Sequence, residues 1–302
     1  MTAAAPPRIG LDIGGSKTAG IVLDGAGRVE ASVDVPTRRG TEGVQETAVQ
    51  VVDALAERTG RSVEAFASLG VGIPGQVSGG EVRNAYNIGV EALALAPLLS
   101  ARTGLPVSLD NDVTAAAIGA AHLMRLGGSV AYLNLGTGLA AGFVVDGRPL
   151  RGAHGLSGEI GHLPVDPLGR ACPCGQTGCL ETVASGSALL RYWPAGGAHP
   201  GRALLAAVDA GDEDARTAFE LLVSGAARAV RMLALTLDPD AVVIGGGLRL
   251  LGAPLIEGIR RVLSGWAAES PFLAAFEAES RLRALPDGSP AAAVGAALAG
   301  EY

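Results

Sequence analysis

From residue 8 to 35 the chain alternates short apolar runs with glycine-rich breaks. Residues 9–13, 19–23 and 29–35 read as three strands, with turns at Gly14-Gly15 and Asp24-Gly25. The period then changes. Over residues 41–58, Val44, Ala48, Val51, Val52, Leu55 and Ala56 share one helical face. Residues 67–71 predict a strand running into Gly72-Ile73-Pro74-Gly75. Residues 97–103 predict a short helix with Pro97 in its first turn, 107–109 a short strand, and 115–126 another helix.

The pattern then restarts. Residues 133–148 repeat the design of residues 11–28: strand, glycine turn, strand, Asp-Gly turn. The offset of about 120 residues is far longer than a solenoid repeat. Two copies of one unit predict an α/β chain of two related lobes with a ligand cleft between them. The alternative is a chance likeness of two glycine-rich hairpins. Helical spacing returns at 204–210, 213–237 and 255–268, a buried strand with a glycine turn occupies 241–247, and a last helix spans 290–299. The expected division is an N-terminal lobe of residues 1–113, completed by 288–302, and a C-terminal lobe of 114–287.

Composition narrows the function classes. Of 302 residues, 48% are apolar and 18% charged, an ordinary globular balance, and 45 glycines imply many tight turns. A net charge of −7 argues against a broad nucleic-acid or anionic-membrane surface. Residues 1–7 lack the basic and apolar regions of a signal peptide. Residues 130–145, the longest apolar stretch, carry Asn134 and Thr137 and read as a strand pair rather than a membrane span. A cytoplasmic location is expected. The three cysteines fall within eight positions, which suits metal binding in a reducing compartment better than a disulfide framework.

His162, Cys172, Cys174 and Cys179 are separated by nine, one and four residues. Three thiolates and an imidazole supply the four N/S ligands of a closed, structural Zn²⁺ site, with Gly175 and Gly178 turning the loop. The bland alternative is three buried free thiols. Glu159 and Glu181 flank the set and are not needed as ligands. They form a candidate hydroxyl-binding surface, or two solvated glutamates.

Asp12-Ile-Gly14-Gly15-Ser16-Lys17 places a carboxylate at a strand end, followed by glycines, a hydroxyl and a cation. Such glycines let backbone N–H groups approach phosphate, and Asp12 is a candidate Mg²⁺ ligand. Gly136-Thr137-Gly138 and Gly245-Gly246-Gly247 are two further turns of this kind; tight hairpins without a ligand are the alternative. Asp110-Asn111-Asp112 joins a strand to a helix. One of its carboxylates is a candidate general base, while helix capping by Asn111 or Asp112 explains the same residues.

Together these segments resemble the ROK family, notably its glucokinases and N-acetylhexosamine kinases. The likeness runs in order through Leu11-Asp-Ile-Gly-Gly-Ser-Lys17, Gly72-Ile-Pro-Gly75, Asn111-Asp112, Leu135-Gly-Thr-Gly138, Gly158-Glu-Ile-Gly-His162, Cys172-Pro-Cys-Gly-Gln-Thr-Gly-Cys-Leu-Glu181 and Ile244-Gly-Gly-Gly247. The resemblance implies an actin-like (ribonuclease H-like) two-lobed ATPase fold with an interlobe cleft, ATP with Mg²⁺ as donor, and Asp112 as the base for a sugar hydroxyl, usually O6. It implies sugar contacts at Asn111, Asp112, Glu159, His162 and Glu181, with Gly75 and Asn87 as weaker matches. The segments 10–17 and 136–143 would cradle ATP, with Gly246 and Gly247 on the adenosine side. Departures from the family pattern stand at Thr114, Ala120, Ala140, Ala141 and Val90.

The expected activity is transfer of a γ-phosphate to the 6-hydroxyl of a hexose, glucose first. The alternatives are an N-acetylglucosamine, N-acetylmannosamine or fructose kinase, a non-catalytic sugar sensor, and a polyphosphate donor. Sugar-responsive regulators of the family place a helix-turn-helix before the first phosphate turn, which here begins at Gly10. Hexose and ATP are the expected partners, without nucleic acid or membrane, in a homodimer or higher homo-oligomer. His154, Trp193 and His199 are expected as loop or surface residues.

Overall fold

A computed structural model describes residues 5–196 and 201–300 of the chain. In order, its elements are β1 (Arg8–Ile13), β2 (Lys17–Leu23), β3 (Val29–Pro36), α1 (Gly40–Thr59), β4 (Leu69–Ile73), β5 (Gln76–Ser78), β6 (Glu81–Ala85), β7 (Val90–Leu93), α2 (Leu95–Thr103), β8 (Val107–Asn111) and α3 (Asp112–Leu123). There follow β9 (Ser129–Leu135), β10 (Leu139–Val145), β11 (Arg148–Pro149), α4 (Gly186–Tyr192), α5 (Gly201–Asp209), α6 (Glu213–Leu237), β12 (Ala241–Gly245), α7 (Ala253–Glu269), α8 (Pro271–Ala274), β13 (Leu282–Ala284) and α9 (Ala291–Ala299).

Two five-stranded sheets share one topology, β3-β2-β1-β4-β8 and β11-β10-β9-β12-β13. The orders match position by position, so the likeness of residues 11–28 and 133–148 is a repeated unit rather than a chance one. In both, the strand bearing the first glycine turn runs parallel to the strand that follows the helical insertion, β1 to β4 and β9 to β12. This mixed α/β architecture is that of the actin-like ATPases.

The chain forms two compact units. The first runs up to Leu126 and adds Gly142–Ser157 and the chain from Gly288 onward; the second holds Gly127–Ala141 and Gly158–Asp287. Sequence reading divided the chain at residue 113 and so gave α3 to the second lobe. In the structure α3 belongs to the first unit, because its backbone is packed on α9. A Cβ on Gly119 would lie 1.8 Å from the Ala291 carbonyl, and one on Gly295 only 1.7 Å from that of Ala115. Two helices approach this closely only where both lack side chains.

Within the first unit, β1 sorts its residues by face. Ile9, Leu11 and Ile13 are fully buried in one cluster with Val44, Val51, Val52 and Leu55 of α1. Gly10 faces the other way, where a Cβ would stand 1.9 Å from the Ala293 carbonyl of α9. All six apolar positions expected on α1 are buried. The small sheet β5-β6-β7 has no counterpart in the sequence reading. Its strands are three to five residues long and show no clean alternation. In the second unit, α6 is capped by Asp212, whose second oxygen accepts the Trp193 indole N–H at 3.2 Å. Trp193 is a loop residue, as expected, and is buried. His154 is an exposed loop residue, and His199 lies outside the described residues. Among the described residues, no helix is long and apolar enough to cross a membrane.

Candidate functional site

In the first unit, the three polar residues at the junction of β8 and α3, Asp110, Asn111 and Asp112, have separate fates. Asp110 is buried, with 3% of its surface exposed. Its oxygens accept Nε of Arg151 at 3.1 and 3.2 Å and Nη2 at 2.7 Å. Burial raises its pKa, and the guanidinium partly opposes that rise. Asn111 is the cap of α3: its Oδ1 accepts the N–H groups of Val113 and Thr114 at 2.9 and 3.3 Å, while Nδ2 donates to the Gly75 carbonyl at 3.1 Å. Asp112 is the first residue of the helix, where the positive end of the helix dipole favours a carboxylate.

Asp12, at the end of β1, sits near Asp112. Its pKa is pushed up to about 7, first by burial and then by the Asp112 carboxylate; Lys17 works against the rise and Asp34 adds to it. Gly72 packs between the backbone of β1 and the start of α3. A Cβ there would stand 3.6 Å from the Leu11 carbonyl and 3.6 Å from the Asp112 Cα. The Gly14–Lys17 turn closes by the Gly14 N–H to the Lys17 carbonyl at 2.9 Å and leaves Gly15, Ser16 and Lys17 exposed. Lys17 pairs with Asp34 at 2.8 Å. Exposed Asn87 is beside this turn, its carbonyl 3.6 Å from where a Gly15 Cβ would be. At Gly75, φ is +98° and a Cβ would strike the Arg83 carbonyl at 2.5 Å, so glycine is required there.

In the second unit, His162, Cys172, Cys174 and Cys179 present ligand atoms that all lie within 4.8 Å of one another. Cys174 and Cys179 sulfurs are 3.6 Å apart, and Cys172 Sγ is 3.6 Å from His162 Nδ1. The other imidazole nitrogen, Nε2, faces Glu159 at 4.0 Å. The loop closes on itself through bridges pairing Pro164 with Cys179 and Ala171 with Thr177. At Gly178, φ is +74° and a Cβ would fall 1.6 Å from the Asp166 carbonyl. Gln176, which sequence reading did not single out, donates from Nε2 to the His162 carbonyl at 3.0 Å and to Cys174 Sγ at 3.4 Å.

The same loop carries both glutamates. Glu159 keeps 46% of its side chain exposed, yet surrounding protein raises its pKa; His162 opposes the rise and Glu181 adds to it. Glu181 Oε2 accepts the Leu139 N–H at 3.0 Å and lies 2.4 Å from where a Gly138 Cβ would be. The Gly136–Gly138 turn therefore touches the Cys/His loop. It also touches the third glycine turn: Gly246, at φ +76°, packs so closely that a Cβ would be 2.7 Å from the Gly136 nitrogen. Gly136 and Thr137 carbonyls accept the N–H groups of Gly186 and Ser187 at the start of α4. Sequence reading had no signal for the Arg151–Asp110 pair, since its members are 41 positions apart.

Comparison with known proteins follows the same residues. A sequence model described as the ROK family matches residues 8–299. A glucokinase of Halalkalibacterium halodurans is 32% identical over 86% of this chain and 86% of its own. An N-acetyl-D-glucosamine kinase of Citrobacter koseri is 37% identical over 79% of this chain and 83% of its own. Among solved structures, a ROK family glucokinase from Streptomyces griseus in complex with glucose and AMPPNP superposes with a TM-score of 0.82, at 31% identity, over 98% of this chain and 100% of the other.

Proposed function

This chain belongs to the ROK family, and on that premise we propose that it is an ATP-dependent hexose kinase that phosphorylates the 6-hydroxyl of glucose. The observation that carries the reading is the sorting of residues 110–112. Arg151 holds Asp110, Asn111 caps α3, and Asp112, whose Oδ1 accepts the Val113 N–H at 3.0 Å, stands at the helix start near Asp12; the family resemblance assigns it as general base. It takes the proton of the attacking hydroxyl as the oxygen reaches the γ-phosphorus; phosphoryl transfer asks little more of a protein than this and exact positioning. Glu159, His162 and Glu181 are assigned to sugar hydroxyls, with Asn111, Asn87 and Gly75 as further contacts. Backbone N–H groups of Gly14–Lys17 and Gly136–Gly138 are assigned to the phosphates, and Gly246 and Gly247 to the adenosine side. Mg²⁺, when bound with ATP, offsets phosphate charge, and Asp12 is the residue assigned to hold it. Burial beside the Asp112 carboxylate raises the Asp12 pKa, and a bound cation would offset that cost.

The Cys/His set is assigned to structural Zn²⁺. Metal–ligand lengths of about 2.3 Å for sulfur and 2.0 Å for nitrogen give tetrahedral edges of roughly 3.5–3.8 Å. The 3.6 Å separations fit those edges. With Nδ1 toward the sulfurs, Nε2 of His162 remains on the Glu159 side, so one imidazole serves both metal and sugar. The family's usual cytoplasmic location and homo-oligomeric state are assigned on the same grounds.

A second reading is an N-acetylhexosamine kinase, favoured by the 37% identity to the Citrobacter protein. Release of ADP in a coupled assay with glucose, mannose, fructose, N-acetylglucosamine and N-acetylmannosamine decides between them. Turnover with glucose at the highest kcat/KM supports the first reading. Turnover confined to N-acetylated sugars supports the second. No turnover with any sugar, with ATP or polyphosphate as donor, refutes both and leaves a sugar sensor.

A further inference from the structure

We propose that Arg151 is a positioning residue that sets the aim of Asp112 by clamping Asp110; the inference rests on the kinase reading of this site. No residue separates β8 from α3, and the Asp112 Oδ1 accepts the Val113 N–H at 3.0 Å, so the direction of this carboxylate follows the peptide geometry of residues 110–113. Residue 110 is held by three donor–acceptor contacts from one guanidinium, and residue 111 by its cap and its bond to Gly75. The fork of an arginine fixes orientation as well as distance, which an ammonium cannot do.

Arg151 is itself fixed from several sides. It follows β11, and the Leu150 N–H donates to the Phe143 carbonyl at 3.0 Å. Its own carbonyl accepts the Ser157 N–H at 3.3 Å, which closes the loop of residues 151–157. Gln76 Nε2 donates to the His154 carbonyl at 2.7 Å, and Gly155 lies against β5, where a Cβ would meet the Val77 carbonyl at 2.5 Å. The guanidinium is thus delivered from a strapped loop.

Stability alone is a poor reason for this arrangement. Replacing a buried ion pair with apolar residues is often neutral or stabilising, whereas removing one partner is costly. A pair kept next to a catalytic carboxylate is better explained by what it orients.

The test measures kcat, KM for sugar and ATP, and thermal midpoint for Arg151→Lys and for the charge-free double variant Asp110→Leu/Arg151→Met. Arg151→Lys keeps the charge and loses the fork. Its expected result is a midpoint near wild type, KM for ATP unchanged, and kcat lowered about ten- to a hundredfold, the scale of a small misplacement. The double variant restores burial without a charge and is expected to keep a low kcat despite a wild-type midpoint. Wild-type kcat per folded molecule in either variant overturns the proposal. Asp112→Asn is assayed in parallel. An inactive Asp112→Asn beside a fully active Arg151→Lys sinks this inference alone, whereas an active Asp112→Asn removes the base assignment and the inference with it.

Discussion

Gly295 offers a case in which two known effects oppose each other and the structure decides the sign. It is interior to α9, where Gly→Ala gains about 1 kcal/mol from helix propensity. The new methyl group would lie 1.7 Å from the Ala115 carbonyl, 2.6 Å from its carbon and 2.7 Å from the Gly119 nitrogen. These are backbone atoms, so no side chain can rotate away. Ordinary contact requires α9 to retreat from α3 by roughly 1.5–2 Å. A second face of α9 is held equally close, since Gly10 and Gly70 leave room only for its backbone. Overpacking of this kind costs about 1–3 kcal/mol, and more where the surroundings cannot yield. The expected net loss is about 2 kcal/mol. At roughly 2–4 °C per kcal/mol for a unit of this size, the midpoint falls by about 4–8 °C. Gly265 is the control. It is interior to α7, and a Cβ there meets nothing within 4 Å. Gly265→Ala should raise stability by up to about 1 kcal/mol. Scanning calorimetry reads both. A midpoint that rises equally in the two variants refutes the backbone contact between α3 and α9.

Other expectations follow from the site. Asp112→Asn should lower kcat by about a hundredfold or more while sugar binding, followed by calorimetry, persists; unimpaired turnover removes the base assignment. Metal analysis should find one zinc per chain, lost in Cys174→Ser together with sugar affinity, and a zinc-free protein of full activity contradicts the brace. Gly178→Ala should lower zinc content as well, because its Cβ would occupy the place of the Asp166 carbonyl. Gly138→Ala meets only the mobile end of Glu181, so the midpoint should stay within about 2 °C while KM for sugar rises; an unchanged KM shows that the Glu181 position is immaterial.

The parts legible in the sequence are those whose signal is local. The six-residue face of α1 repeats at helical spacing and is buried as read. The duplicated strand-turn-strand pattern surfaced as two sheets of one order. The Cys/His loop was readable because its members fall within eighteen positions, and the chain closes them with short bridges. Elsewhere the deciding partner is remote. Residue types alone leave Asp110 and Asp112 as alternative carboxylates, the resemblance picks Asp112, and the Arg151 partner of Asp110 emerges only in the structure. The Asn111 cap explains why α3 starts at Asp112 rather than at the predicted residue 115. Trp193 is in a loop as expected, but its burial was not legible, because its partner Asp212 lies 19 positions on.

One carboxylate deserves its consequence. Glu181 belongs to the Cys/His loop, yet its Oε2 holds the Leu139 N–H and fills the space beside Gly138. With Glu181 proposed to contact the sugar and the Gly136–Gly138 turn proposed to hold phosphate, acceptor and donor preferences are not separate traits. A substitution at Glu181 that admits a new sugar also releases an amide at the phosphate turn and opens a void beside it. Divergence toward a different acceptor would have to repair the donor side in the same step, or pass through a poorer catalyst on the way.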